Sequence, residues 1–156
     1  MLVAITIALS GFSIPVGASK CFPIQHMVNV LSAVLLGPWW GVGIAFCVSL
    51  IRNLMGTGTL LAFPGSMAGA LLCGLVFAFT KKLIPTYLAE VIGTGVIGGM
   101  LAYPLAVLVM GREAALFTYV LPFLVSTAGG TIMAAVLIFV LDKCGALRYL
   151  KGLLQA

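Results

Sequence analysis

Charge is what this sequence has least of. Its 156 residues include eight Lys or Arg and three Asp or Glu, 7% charged in all. A soluble domain carries about a quarter charged residues. With 63% hydrophobic residues and a mean hydropathy of +1.28, most of the surface must face something other than water. The apolar runs are continuous rather than short and alternating, which excludes an outer-membrane barrel. Histidine occurs once and cysteine four times, at Cys21, Cys47, Cys73 and Cys144, with no CxxC and no metal-ligand spacing. Cys47 and Cys73 lie inside apolar runs, where a free thiol acts as a small hydrophobe. Also missing are paired carboxylates and any Ser/His/Asp set, which a membrane enzyme acting on lipid would need. The G-x-x-x-x-G-K-[ST] phosphate loop is absent too. The chain opens at Met1 in an apolar run, without the basic region of a secretory signal. That run, to Phe12, is short for a span of ~20 residues.

What is present reads as an all-α membrane protein, a single domain over residues 1–156. Six membrane segments are expected, at roughly 1–13, 25–37, 39–55, 66–81, 87–110 and 117–141. Gly37-Pro38 divides the run from Gln25 to Met55, which is too long for one span, into two short helices around a tight turn. With both ends on one side, that side carries Lys81, Lys82, Lys143, Arg148 and Lys151. The other side carries Lys20, Arg52 and Arg112. The excess of basic residues places both termini in the cytoplasm, and Trp39, Trp40, Tyr87 and Tyr149 fall near the same interface. Small-residue pairs such as Gly65/Gly69/Cys73 and Gly95/Gly99 suit close helix packing within the chain.

The outer connections, Ser13 to Pro23, Gly56 to Gly65 and Gly111 to Leu116, hold the special residues, so binding chemistry is expected there. Gln25 and Asn29 share a helix face with His26 beside it. Polar groups at that depth must face the interior, either holding a small polar ligand or bonding helices together. Arg52-Asn53 precedes Gly56-Thr57-Gly58-Thr59, whose amides suit an anion. Arg52 has two readings, contact with a ligand anion or snorkelling and pairing with Glu113. Ser66 suits a helix N-cap, and a helix start facing a cavity also suits a polar ligand. Tyr103 and Tyr119 suit stacking on a flat ring, or equally an interfacial belt. Glu90 and Asp142 read as interfacial charges near the inner side, out of reach of the outer cluster. The candidate substrate-binding set is thus Gln25, His26, Asn29, Arg52, Asn53, Ser66, Tyr103 and Tyr119.

The run from Ser13 to Val30 (SIPVGASKCFPIQHMVNV), Leu36-Gly-Pro-Trp-Trp, Arg52-Asn53 with Gly56-Thr-Gly-Thr, and Ala62-Phe-Pro-Gly-Ser-Met closely resemble the ThiW family. A looser match runs through Glu90 to Gly95 and Phe123 to Gly130. The resemblance implies a six-helix S component of an energy-coupling factor importer, a form of ABC transporter. Such a subunit captures a ligand outside the cell membrane, here hydroxyethylthiazole, the thiazole half of thiamine. It implies partners as well: a transmembrane T component and two cytoplasmic ATPases, which use the ATP. No cofactor in this chain and no nucleic-acid partner are expected. Ala4 and Ala8 match the family's Ala-x-x-x-Ala contact with the T component, while the basic residue usual before the first helix is missing. A thiazole alcohol would need an aromatic wall, a few hydrogen-bonding groups and a lid. Two other function classes compete: a stand-alone carrier, which needs an intramembrane acid for ion coupling, and the membrane enzyme disfavoured above.

Overall fold

A computed structural model describes residues 1–11, 13–16, 19–111, 113 and 115–155, with the side chains of residues 14–16, 19–20 and 154–155 left out of the description. Arg112, and the side chain of Lys20, therefore lie outside the described residues. Seven helices and one hairpin follow in chain order. They are α1 (Leu2–Ala8), β1 (Ile14–Val16), β2 (Ser19–Cys21), α2 (Pro23–Leu35), α3 (Pro38–Leu54), α4 (Ala62–Thr80), α5 (Leu83–Val109), α6 (Val120–Lys143) and α7 (Ala146–Gln155). Three of them, α4, α5 and α6, are long and apolar enough to cross a membrane, and α2 is a shorter apolar helix. The chain is thus helical apart from the antiparallel hairpin, in which Ile14 pairs with Cys21 and Val16 with Ser19.

The break after Leu35 falls where the sequence places it. Gly37 takes φ +88, a left-handed conformation that costs glycine little, and Pro38 starts α3 with its ring in a first-turn position. Three other boundaries differ from expectation, the first being the end of α1, which stops at Ala8 rather than near residue 13. Helix α4 begins at Ala62, because Pro64 is tolerated in the first turn where its missing N–H has no partner to lose. Helix α5 begins at Leu83 for the same reason at Pro85, and it runs 27 residues through π-helical stretches at Val91–Gly98 and Leu105–Val109. The short α7 lacks the length of a span and was not expected. It is amphipathic, with Leu147 buried against the core and Tyr149 and Leu153 exposed.

Two apolar clusters bracket the bundle. One joins Val30, Leu31, Val34, Phe77, Ile138 and Leu147 near the basic end, where Lys81, Lys82, Lys143, Arg148 and Lys151 lie. The other joins Leu61, Ala102, Ala106 and Tyr119 at the hairpin end. The outer surface carries exposed Trp39, Phe79, Leu108, Ile132 and Phe139, as lipid-facing helices do. Between the two clusters sits a layer of buried polar side chains.

Candidate functional site

The polar layer is built from the first turns of α2, the last turns of α3, the start of α4 and the middle of α5 and α6. Burial of so many polar groups is tolerable only if they satisfy one another. Most do so through a directed chain. The Arg52 Nη1 donates to Gln25 Oε1. Gln25 Nε2 then donates to Ser49 Oγ at 3.0 Å, Ser49 Oγ meets Ser66 Oγ at 3.0 Å, and Ser66 Oγ donates to the Ala62 carbonyl at 2.7 Å. Each hydroxyl has one hydrogen. Ser66 spends its own on Ala62, so Ser49 is the donor between the two serines.

A second group gathers on Glu90, which is 0% exposed. Its Oε1 lies 3.1 Å from His26 Nδ1, accepts from Asn29 Nδ2 at 3.1 Å and accepts from Thr94 Oγ1 at 2.9 Å. When Glu90 is ionised its oxygen can only accept, so Nδ1 then carries the hydrogen and Nε2 is what the ring has left to offer. Asn29 Nδ2 also donates to the Ser66 carbonyl at 3.2 Å, joining the two groups. The close approach of α4 to α5 depends on Gly69. A Cβ there would fall 1.8 Å from Thr94 Oγ1 and 2.8 Å from Glu90 Oε2. Gly130 of α6 serves α2 likewise, with Pro23 O and His26 Cβ against its Cα hydrogen.

Above these groups lies a hollow of ≈ 40 Å³, lined by Phe22, Gln25, His26, Arg52, Thr59, Ala62, Gly65, Ser66, Thr94, Phe123 and Ser126. That is room for roughly three waters at 10–15 Å³ each. The hairpin fixes one wall: Phe22 N donates to Ser126 Oγ at 2.8 Å, and the Cys21 thiol donates to the Pro122 carbonyl at 3.2 Å. Arg52 is 1% exposed, and its guanidinium stacks on the Phe22 ring, 3.4 Å from the centroid. Its Nε and Nη2 have no partner among the described residues. Two buried guanidinium nitrogens without acceptors, beside an aromatic pair and a histidine, make a site that favours a flat ligand carrying an acceptor.

Of the residues singled out from sequence, Gln25, His26, Arg52 and Ser66 line this hollow. Asn29 lies beneath it, with both amide hydrogens committed. Asn53 is turned to α3's own end, donating to the carbonyls of Ser49 and Thr59. Tyr119 is buried in the apolar cluster at the hairpin end, and Tyr103 is half-buried off the hollow. Ser66 is not an N-cap, since the helix starts one turn earlier. The Thr57 and Gly58 amides face no anion: they donate to the Arg52 carbonyl at 3.0 and 2.9 Å and close the end of α3. Glu113 is exposed, and Arg52 meets no carboxylate among the described residues.

The largest correction is Glu90. Because α5 starts at Leu83 rather than Tyr87, Glu90 stands two turns into the helix, not one, and meets the deep polar face of α2. Its spacing of four to Thr94, with Ser126-Thr127 on the facing helix, was the available signal. Phe22, Thr59, Phe123 and Ser126 were not singled out either, since single aromatics and hydroxyls at helix starts look alike wherever they point.

The description of one protein family, thiamine-precursor transporter protein (ThiW), matches residues 1–144. No curated protein and no solved structure matches the chain. The chain belongs to the ThiW family, a family of thiamine-precursor transport proteins, and its apolar helices make it a multi-pass membrane protein.

Proposed function

From ThiW membership together with this hollow we infer that the chain is the substrate-capture subunit of an energy-coupling factor importer, and that its ligand is hydroxyethylthiazole. One observation carries the reading: Arg52, buried and with its Nε and Nη2 unpartnered among the described residues, lines a hollow walled by Phe22 and Phe123 and edged by His26. The thiazole ring stacks between the aromatic walls. Its nitrogen, or the alcohol oxygen, accepts from Arg52, and the alcohol hydrogen goes to His26 Nε2. A hollow of ≈ 40 Å³ is smaller than such a ligand, so the Gly56 to Leu61 loop must lift for entry and settle again afterwards.

In this reading the whole chain is one domain of six membrane segments, with α1 as the first and α7 lying in the interface. Both termini are cytoplasmic, because the five basic residues of the α4–α5 turn and the tail lie at that end. The site then opens outwards. The chain needs no cofactor of its own; a T component and two ATPases supply the energy. Ala4 and Ala8 are exposed on α1, as a T-component contact requires.

The test is calorimetry on the purified chain. Saturable heat with hydroxyethylthiazole, abolished in Arg52→Gln, is the expected result. Heat only with its phosphate or with thiamine would change the ligand and keep the class. No heat with any of the three would end the reading. Calorimetry is preferred to Trp quenching because Trp39 and Trp40 are 78% and 69% exposed at the opposite end.

A second reading has an observation of its own. Glu90, buried beside His26 amid the bundle, is the kind of group an ion-coupled carrier uses. Proteoliposomes holding this chain alone separate the two. Uptake driven by a proton gradient would favour the carrier, and its absence the importer subunit.

A further inference from the structure

The basic end contains a second and larger hollow, of ≈ 490 Å³, which shares no lining residue with the first. The last turn of α2, the start of α3, the end of α4 and helix α7 border it, and it is open on one side. Its walls are mixed: the side chains of Val34, Leu35, Leu36 and Phe77 are apolar, and the two lysines and the backbone around Gly37 are polar. Its charged groups are Lys81 and Lys151, with no acid among the lining residues. The two ammonium groups come to the same place from separate elements. Lys81 ends α4 at φ +54, and its Nζ stands 5.8 Å from the Phe77 ring centroid. Lys151, on α7, stands 5.2 Å from that centroid. Neither lysine meets a carboxylate among the described residues. The only described acid at this end, Asp142, is exposed and does not line the hollow.

Two cations near one ring, with no counter-ion among the described residues and apolar side chains beside them, call for an occupant that is anionic at one end and apolar at the other. The surrounding surface names the source. Trp40 lines the hollow and is 69% exposed, and Trp39 and Phe79 beside it are more exposed still. Tryptophan at helix ends belongs to the headgroup layer, so what covers these rings is lipid. A basic hollow between helix ends at that depth takes a lipid headgroup. We propose that this hollow is a binding site for one anionic phospholipid, with its phosphate at Lys81 and Lys151 and its acyl chains along Leu35, Leu36 and Trp40; phosphatidylglycerol is the probe that tests it.

The experiment uses the full chain in nanodiscs of equal phosphatidylglycerol and phosphatidylcholine, released into the gas phase for native mass spectrometry. One phosphatidylglycerol per chain should be retained in preference to phosphatidylcholine. Lys81→Gln with Lys151→Gln should lower that retention by roughly fivefold per lysine. Lys81→Arg with Lys151→Arg should keep it, and so should Lys82→Gln with Lys143→Gln, which removes equal charge outside the hollow. Thermal unfolding of each variant checks the fold. Equal retention of the two lipids would overturn the proposal. So would an equal loss in the Lys82/Lys143 variant, which would mean diffuse attraction. Displacement by millimolar glycerol phosphate would mean a soluble anion instead. If the lysines matter only for co-purification with protein partners, the occupant is an acidic protein segment and the lipid site is wrong.

Discussion

At the scale of single residues, the site divides into groups that are spent and groups that are free. Ser49, Ser66, Asn29 and Thr94 commit their side-chain hydrogens to one another, to Glu90 or to backbone, and Gln25 commits one of its two to Ser49. Arg52 retains unpartnered donors. Arg52→Lys should therefore cost more than its conserved charge suggests, since an ammonium cannot offer the guanidinium's fixed fork or its stack on Phe22. A hydrogen bond to a charged group is worth about 1.5–3 kcal/mol, so affinity for hydroxyethylthiazole should fall by tenfold or more. Unchanged calorimetric affinity would remove Arg52 from the site. His26→Ala loses one bond to a neutral group and should cost about 1 kcal/mol, several-fold in affinity. Asn29→Ala should cost as much by a different route, because it strips Glu90 and the Ser66 carbonyl of a donor without touching the ligand. Glu90 acts through His26, and a double-mutant cycle checks this. His26→Ala and Glu90→Gln together should deviate from additivity in ligand binding by at least about 0.5 kcal/mol. Additive losses would mean that Glu90 only holds helices together.

At the scale of elements, the polar layer exists because helix backbones come unusually close. Gly69→Ala would drive a methyl into Thr94 and Glu90, which cannot yield without breaking the contacts on Glu90. Such overpacking costs about 1–3 kcal/mol, so the melting temperature in detergent should drop, with ligand affinity falling alongside. Retention of both would mean that α4 and α5 separate freely. What the sequence disclosed follows the same division. Helix faces were legible, since Gln25, His26 and Asn29 occupy adjoining positions whatever surrounds α2. The turn at Gly37-Pro38 was legible because both residues restrict the backbone in known ways. Depth was not legible. Pro64 and Pro85 look like breakers in a linear reading, yet each sits inside a first turn, and the four extra residues they permit set how far Ser66 and Glu90 lie into the bundle. Nor could spacing alone show that Tyr119 stays within an apolar cluster while Phe123, four residues on, packs against that cluster and also lines the hollow. Helix α7 escaped because a search for long apolar runs passes over a ten-residue amphipathic segment. On α1, Ala4→Leu should leave ligand binding untouched, since α1 meets the bundle through buried Thr6 and turns Ala4 outwards. Its expected effect is poorer co-purification with a T component, and normal co-purification would dismiss the Ala4/Ala8 contact.

At the scale of the whole molecule, the two ends of the bundle differ in character, and the proposed orientation rests on that difference. One end gathers Lys81, Lys82, Lys143, Arg148 and Lys151 and the exposed Trp39 and Trp40. The other bears the hairpin and the small hollow, and its one described basic side chain, Arg52, is buried inside. On the orientation proposed above, the end with five basic residues, against Lys20, Arg52 and Arg112 at the other, lies in the cytoplasm. Cys144, exposed at the end of α6, reports on this directly. In a chain with Cys21, Cys47 and Cys73 changed to alanine, a membrane-impermeant maleimide should label Cys144 in inside-out vesicles and not in intact cells. Cys73→Ala empties a fully buried position and Cys21→Ala removes the thiol from the Pro122 carbonyl, so retained ligand binding must accompany the labelling. Labelling of intact cells would reverse the molecule. The hollow under the hairpin would then face the cytoplasm, where it could release a precursor but not capture one from outside, and the importer reading would fail at its first step.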